Sequence, residues 1–229
     1  MKLLALDTSS LACSVALQID AEVSDRHEEQ ARQHTRLLMP MIESLLKEAS
    51  VALNDLDAIV LGNGPGSFIG MRIAASVAQG LAFGAGLNIV PVSSLSAVAA
   101  QVFAEYEATE VVVAQDAHMQ EVYLGVFARS EKNLPTAIVK ESLHSQSSIA
   151  GLANRPDIVR VAAGSGWQRY PDLLEMNKKK FADVVKVLHP AARYLLPLGC
   201  AEFQRGNSVN PKDVAPAYLR HKVAEVPSR

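Results

Sequence analysis

The stretch Lys2-Leu3-Leu4-Ala5-Leu6-Asp7-Thr8-Ser9-Ser10 joins a short apolar run to a turn that begins with Asp7 and is rich in hydroxyl groups. A second apolar run of strand length, Cys13–Ile19, follows this turn. Two such runs separated by turn-forming residues predict a β-hairpin. The polar segment 23–30 that comes next suits a third strand at the edge of the same sheet.

The same order begins again near residue 106. Residues 111–114 are apolar, Gln115-Asp116-Ala117-His118 form a second Asp-led turn, and residues 121–127 make another run of strand length. The two hairpins share a plan but not residue identities, and a shared plan of this kind indicates a duplication. Helical segments follow the strands in both halves, which is typical of an α/β protein. We therefore predict two lobes, 1–105 and 106–229, with a helix near 190–205 as a candidate to pack back on the first lobe.

Composition narrows the classes of function. The chain has 229 residues, of which 49% are hydrophobic and 20% charged, with a formal net charge of −2. This is the composition of a globular protein, and it argues against a chain that binds nucleic acid alone, because phosphate binding needs a clustered positive surface. Cys13 and Cys200 lie far apart in apolar contexts, and the N-terminus does not have the pattern of a signal peptide. We expect reduced cysteines and a cytoplasmic location.

The segment 68–92 contains a single charged residue, Arg72, and requires a test for membrane insertion. A spanning helix needs about 20 predominantly apolar residues. Here glycines and Pro91 divide the segment into a helix that ends near Phe83 and a strand near 87–90. We therefore predict a buried helix of a soluble protein and no contact with a membrane.

A glycine-rich loop, Gly64-Pro65-Gly66-Ser67-Phe68-Ile69-Gly70, lies between a predicted strand and a predicted helix. Backbone amides in this position could bind a phosphate. The loop nevertheless lacks the glycine of a dinucleotide fingerprint at Ile69 and the Lys of a P-loop at Met71. The favoured interpretation is a tight turn that lets the helix approach closely, with Ser67 as the helix cap.

Signals for metal binding and for a nucleophile are missing from the sequence. The histidines are not paired at a spacing of three or four residues, as a metal site on a helix requires. No G-x-S-x-G elbow occurs, and Cys13 falls in a predicted buried strand. We predict no catalytic residue and no metal site in this chain. The six histidines are His27, His34, His118, His144, His189 and His221.

The predicted helix 33–49 has an apolar arc about twice the ~100° that a surface helix needs. Leu38, Ile42 and Leu45 lie in the middle of the arc and should face the core of the chain. The margins of the arc, together with the nearly all-apolar helix that follows, predict a protein–protein interface. The alternative is a thicker core that covers both helices. The candidate interface residues are Leu37, Met39, Met41, Leu46, Ile69, Met71, Ala75 and Phe83.

Seven segments along the chain form a set that occurs together in a known family. They are Leu4-Ala5-Leu6-Asp7-Thr8-Ser9, Ser14-Val15-Ala16-Leu17, Gly64-Pro65-Gly66-Ser67-Phe68, Arg72-Ile73, Asp116-Ala117, Glu121-Val122-Tyr123 and Pro216-Ala217-Tyr218-Leu219-Arg220. In these segments the sequence resembles TsaB along nearly its whole length, and the segment from Gly64 to Ile73 is the most specific part of the resemblance. The sequence departs from the usual family pattern at Ile69, Met71 and His118, where Thr, Leu and Arg are general.

The resemblance implies a duplicated actin-like fold (the ASKHA, RNase H-like class) and a cytoplasmic chain that pairs with a catalytic TsaD-like subunit and a TsaE-like ATPase. Together these transfer a threonylcarbamoyl group from threonylcarbamoyl-AMP to the tRNA adenosine beside the anticodon. The resemblance implies no cofactor for this chain, ATP or ADP at the complex interface, and contact with tRNA only through the complex. By position in the fold class, the residues facing a nucleotide would be Asp7, Thr8, Ser9, Asp116, Gly164, Ser165 and Gly166.

Two other classes of function stay open. One is a free-standing enzyme, either a kinase of the same fold or a peptidase. Kinases of this fold are usually far longer, and a peptidase would need a metal or nucleophile set that the sequence lacks. The other is a homodimeric structural protein whose apolar helices serve only self-association.

Overall fold

The computed structural model describes residues 1–30, 32–145, 147–150, 152 and 158–220. The first sheet has five strands in the order β3-β2-β1-β4-β5. Strand β2 is antiparallel to both β1 and β3. On the other side of β1, β4 is parallel to β1 and β5 is parallel to β4. The polar strand β3 lies at the edge, as the sequence predicts. The strands are β1 (Lys2–Asp7), β2 (Cys13–Ile19), β3 (Glu22–Glu28), β4 (Ala58–Gly62) and β5 (Asn88–Val92).

The second sheet repeats this topology. Its order is β10-β9-β6-β7-β8, so that β6 takes the place of β1 and the antiparallel and parallel neighbours fall on the corresponding sides. This equivalence of strand order and direction confirms the duplicated plan. The strands are β6 (Glu110–Asp116), β7 (Glu121–Arg129), β8 (Pro135–Ser145), β9 (Arg160–Ala163) and β10 (Asp183–Val184).

Helices cover both faces of the first sheet. On one face α1 and α2 bury their apolar sides against residues such as Leu6 and Ile59. On the other face α6 packs against Val60, whose side chain would lie 2.4 Å from a Cβ at Gly199. Gly199 is therefore the point of closest approach between helix and sheet. The helices are α1 (His34–Glu48), α2 (Phe68–Ala85), α3 (Ser94–Glu105), α4 (Ser165–Arg169), α5 (Pro171–Asn177) and α6 (Ala192–Gln204).

The two sheets are joined through α3 and α6. Helix α3 packs one side against the second sheet, through residues including Phe103, and contributes Ala97 and Ala100 to the core beneath α6. Helices α4 and α5 cover the outer face of the second sheet around Trp167. The layers therefore run helix, sheet, helix, sheet, helix. Although α6 falls within the predicted second lobe, it packs on the first sheet, as the sequence anticipates for the helix near 190–205.

The predicted division of residues 68–92 into a helix and a strand is confirmed: α2 ends at Ala85, two residues beyond the predicted end near Phe83, and the left-handed Gly86 (φ 68°) follows it. One element differs from the sequence prediction. Strand β8 was not predicted, since most of its residues are exposed and it shows no clear alternation of apolar and polar residues. Within the described residues, α2 is the single helix long and apolar enough to cross a membrane, and 33% of it is buried.

Candidate partner-binding face and the two turns

The turn after β1 is closed around Asp7, which is 1% exposed. Its Oδ1 accepts hydrogen bonds from the amide and the hydroxyl of Ser9, both at 2.7 Å. Its Oδ2 accepts one from the hydroxyl of Ser94, at 2.6 Å. Burial raises the pKa of the Asp7 carboxyl, and the hydrogen bonds from Ser94 and Ser9 oppose part of that rise. Asp7 is a structural anchor that joins β1 to the start of α3.

The glycine-rich loop packs directly on this turn. The hydroxyl of Thr8 donates to the carbonyl of Gly70 at 2.7 Å, and the amide of Ser67 donates to the carbonyl of Ser9 at 2.6 Å. A Cβ at Gly70 would lie 1.9 Å from the backbone carbonyl oxygen of Thr8, and a Cβ at Gly66 would lie 2.2 Å from the backbone carbonyl oxygen of Ser9. These glycines therefore allow close packing, as the sequence favours. Ser67 also caps α2 by accepting from the amide of Gly70.

This packing corrects part of the nucleotide prediction. Asp7, Thr8 and Ser9 are buried, and protein groups already satisfy their polar side chains. The three residues therefore have no surface to offer a nucleotide in this structure. The physical reason is that the glycine-rich loop occupies the space in front of the turn.

The second turn, after β6, is held by Asp116. Its Oδ1 accepts from the amide of His118 at 2.8 Å and from the hydroxyl of Tyr170 at 2.7 Å. Burial, with the neighbouring Asp116, raises the pKa of Tyr170 to about 12, so this phenol keeps its proton and remains a donor. The hydroxyl of Ser165 lies 3.4 Å from the Asp116 amide. The structure thus brings together Asp116 and Ser165, two of the predicted site residues.

The glycines on either side of Ser165 pack against β6. A Cβ at Gly164 would lie 2.2 Å from the carbonyl oxygen of Ala114, and Gly164 has a φ of 103°, which favours glycine. Gly166 is buried against the same carbonyl. The prediction that Gly164 and Gly166 face a nucleotide is therefore corrected, because both are used in helix–strand packing. Asp116 and Ser165 are half-buried, and that these two residues face a nucleotide stays a prediction.

Two observations bear on the chemistry available near these turns. In the part of the chain that the structure describes, no three or more His, Cys, Asp or Glu side chains are placed to hold a metal. Burial raises the pKa of Cys13 to about 12, which makes its thiol a poor nucleophile at neutral pH.

The structure divides the predicted interface residues of α1. Leu38, Ile42 and Leu45 are buried, as predicted, but Met41 is also buried, with 8% exposed. The prediction that Met41 meets a partner is therefore wrong, because α1 packs against both the sheet and α2. Leu37, Met39 and Leu46 are partly buried against the same core.

Helix α2 carries the most exposed candidates. Ile69 is 70% exposed and Phe83 is 84% exposed. The sequence predicts Met71 and Ala75 at the interface, but both are buried. Ala75 packs in the core between α2 and the first sheet, and Met71 lies against the glycine-rich loop at Gly64. A groove of about 360 Å³ runs beside Ile69. It is lined by Thr35, Phe68, Ile69, Arg72, Ile73, Ser76 and Val77.

Phe68, Arg72 and Tyr218 are surface residues that the sequence did not single out as interface residues. The Arg72 guanidinium stacks 3.8 Å from the centre of the Phe68 ring, and its Nε donates to the Tyr218 hydroxyl at 3.0 Å. The centres of the Phe68 and Tyr218 rings are 5.4 Å apart. The one charged residue of α2, Arg72 in its second turn, is therefore paired with an aromatic ring and a hydroxyl.

Two lobes with the same strand order, packed through shared helices, define a duplicated actin-like protein. A family model described as TsaD, tRNA N6-adenosine threonylcarbamoyltransferase, matches residues 24–226. The "tRNA threonylcarbamoyladenosine biosynthesis protein TsaB" of Escherichia coli K12 is 38% identical over 98% of this chain and 96% of its own length. The protein of the same name from Haemophilus influenzae is 36% identical, over 97% and 95%.

A solved structure has the same fold over nearly the whole chain. It comes from Pseudomonas aeruginosa, is described as an uncharacterized protein with similarity to the peptidase YEAZ, and has a TM-score of 0.89 at 36% identity. The match covers 96% of this chain and 99% of that one. The chain therefore belongs to the TsaB family of tRNA threonylcarbamoyladenosine biosynthesis proteins, which is related to TsaD. This confirms the resemblance that the sequence motifs indicated.

Proposed function

We propose that this chain is the non-catalytic partner subunit of a TsaD-like enzyme. In this role it works with a TsaE-like ATPase in the cytoplasm, and the complex transfers the threonylcarbamoyl group from threonylcarbamoyl-AMP to the adenosine beside the tRNA anticodon. The chain itself requires no cofactor, and it meets tRNA only through the complex. Membership of the TsaB family supports the pathway, and the exposed apolar face of α2 supports the partner role.

The observation that carries the proposal is the α2 face. Ile69 and Phe83 are exposed at opposite ends of the helix, and the exposed residues Ser76 and Gly80 between them have small side chains or none. Gly84 is exposed beside Phe83. A Cβ at Gly80 or Gly84 would have no neighbour within 4 Å. An apolar face with small residues in its centre suits the close approach of a helix from a second protein.

A membrane fits this face less well than a protein does. One side of α2 is packed on the first sheet, and Gln79 donates to the carbonyl of Pro211 at 2.8 Å. Arg72 lies beside the groove. A spanning helix would have to give up these contacts and place a charge in hydrocarbon. A protein partner needs neither change.

Association with the purified TsaD-like subunit tests the proposal. We expect Ile69→Lys and Phe83→Lys each to weaken association by at least about tenfold, since a buried unpaired charge costs more than 1.4 kcal/mol. Ile138→Lys is the matched control, because Ile138 is an exposed isoleucine on β8, in the other lobe. Melting curves of all three variants should match the wild type. Wild-type affinity in both α2 variants would refute the proposed interface.

The non-catalytic assignment has its own test. The purified chain should show no threonylcarbamoyl transfer without the TsaD-like subunit, and adding that subunit with the ATPase should restore transfer. Turnover by the isolated chain that persists through repurification would overturn this part of the proposal. Mass measurement in the same experiment separates a heterodimer from a chain that only pairs with itself.

A further inference from the structure

The segment 214–220, which we name the C-terminal strap, lies across both lobes. On the first lobe its backbone is bound at Asn63: the side-chain amide of Asn63 donates to the carbonyl of Ala215, and the amide of Ala217 donates to the carbonyl of Asn63, both at 3.0 Å. Val214 packs against the core beneath α1 and α2. The start of the strap is therefore fixed to the first lobe.

The middle of the strap completes the groove surface. Tyr218 is 37% exposed, packs on Phe68, and accepts a hydrogen bond from Arg72. Phe68 and Arg72 both line the groove beside Ile69. The strap thus continues the α2 face through aromatic surface.

The end of the strap is fixed to the second lobe. Arg220 donates to the carbonyls of Ala117 and His118, at 2.9 and 3.3 Å, and forms an ion pair of 2.7 Å with Glu121. Leu219 packs against the core of the second lobe. The same short segment therefore contacts both the α2 surface and the turn after β6, and so connects the two lobes.

The turn that Arg220 holds has an unusual backbone. His118, Met119 and Gln120 are three consecutive non-glycine residues with positive φ, at 59°, 53° and 63°. Side chains disfavour this conformation, and such conformations concentrate at functional sites. The turn presents Met119, 49% exposed, with its sulfur 3.4 Å from the Arg220 guanidinium. An exposed methionine is an adaptable apolar contact.

We infer that the docking surface extends from Ile69 through Phe68 and Tyr218 to Met119, so that one TsaD-like subunit contacts both lobes of this chain. Met119 is a second apolar contact, and Arg220 is the positioning residue that holds it. The inference rests on the proposed function and adds a surface outside the α2 helix. Its physical basis is the continuous run of contacts from the groove, along the strap, to the turn.

Replacing Met119 tests the inference. We expect Met119→Lys and Met119→Glu both to weaken association with the TsaD-like subunit by about fivefold or more, since the contact is apolar and either charge would be desolvated. Met176→Lys is the matched control, because Met176 is 47% exposed on α5. Arg220→Ala should also weaken association, while Tyr218→Phe, which keeps the ring, should have a smaller effect than Tyr218→Ala.

The outcomes separate the two proposals. Wild-type affinity in both Met119 variants, with association lost in Ile69→Lys, would overturn the extended surface and leave the proposed function standing. Wild-type affinity in Ile69→Lys and Phe83→Lys would overturn the proposed interface itself. If a charged Met119 variant melts early, Met119→Ser must still weaken association for the inference to hold.

Discussion

The hydroxyl of Ser94 donates a 2.6 Å hydrogen bond to the buried Oδ2 of Asp7, and it also accepts one of 3.1 Å from the amide of Gly64. One side chain thus connects the end of β1, the glycine-rich loop and the first turn of α3. In this arrangement the aspartate that the fold class places near a nucleotide is sealed inside the first lobe. We therefore expect no nucleotide to bind at Asp7.

We predict that Asp7→Asn changes how stability depends on pH. The folded pKa of Asp7 is raised, whereas in the unfolded chain it titrates near the ordinary value of about 4. Between these two values folding takes up a proton, so the unfolding free energy of the wild type falls as pH rises. The asparagine variant lacks this contribution. Urea unfolding of both proteins at several pH values measures the difference.

The unfolding free energy of the wild type, relative to that of Asp7→Asn, should be highest below the pKa that Asp7 has in the unfolded chain. It should decline as pH rises and become constant above the pKa that Asp7 has in the folded protein. A wild type that gains stability relative to Asp7→Asn as pH rises would mean that the hydrogen bonds from Ser9 and Ser94 outweigh desolvation.

We predict that ATP with Mg²⁺ hardly changes the melting temperature of the isolated chain. The turn at Asp7 is buried, and Gly164 and Gly166 are packed on β6. A ligand at a hundred times its dissociation constant would stabilise the fold by about 2.7 kcal/mol, which shifts the melting temperature of a protein of this size by roughly 5–10 °C. With 1 mM ATP we expect less than about 1 °C. A shift of several degrees, lost in Asp116→Ala, would locate a nucleotide at the second turn instead.

The two methionines of α1 should respond differently to a charge. Met41 is buried, so Met41→Lys should lower the unfolding free energy by about 3 kcal/mol or more. Met39 is half-buried, and a lysine there can extend its ammonium to water, so Met39→Lys should stay folded. Circular dichroism and chemical unfolding measure both. Equal stability in the two variants would mean that Met41 is as accessible as Met39.

Local patterns predicted a large part of the fold. Both hairpins, the edge strand β3 and the cap at Ser67 depend on residues close in sequence, so strand and turn preferences were enough. The apolar arc of α1 predicted burial but not which neighbour provides it. Met41 and Met39 both belong to that arc, and only tertiary packing against the sheet and α2 separates them.

Long-range contacts could not be predicted in this way. Arg72 and Tyr218 are 146 residues apart, and neither belongs to a periodic pattern that would bring them together. The same holds for Arg220 and the turn at Met119. The turn at Asp7 could be predicted from the sequence, but whether Asp7 is exposed or buried depends on how closely Gly66 and Gly70 approach the turn.

The exposed glycines of α2 give the last prediction. Gly80→Ala should stabilise the isolated chain by about 0.5–1 kcal/mol, because glycine in a helix interior loses more conformational entropy than alanine and the new methyl group meets no atom within 4 Å. The same methyl group should weaken association with the TsaD-like subunit, since it raises the surface that a partner helix would approach. Thermal melting and affinity measurement on one preparation give both values. Gly70→Ala is the control for a glycine of α2 that is packed and not exposed. It should destabilise the chain, because its Cβ would lie 1.9 Å from the backbone carbonyl oxygen of Thr8. If Gly80→Ala raises stability and leaves affinity unchanged, the centre of α2 does not lie against the partner.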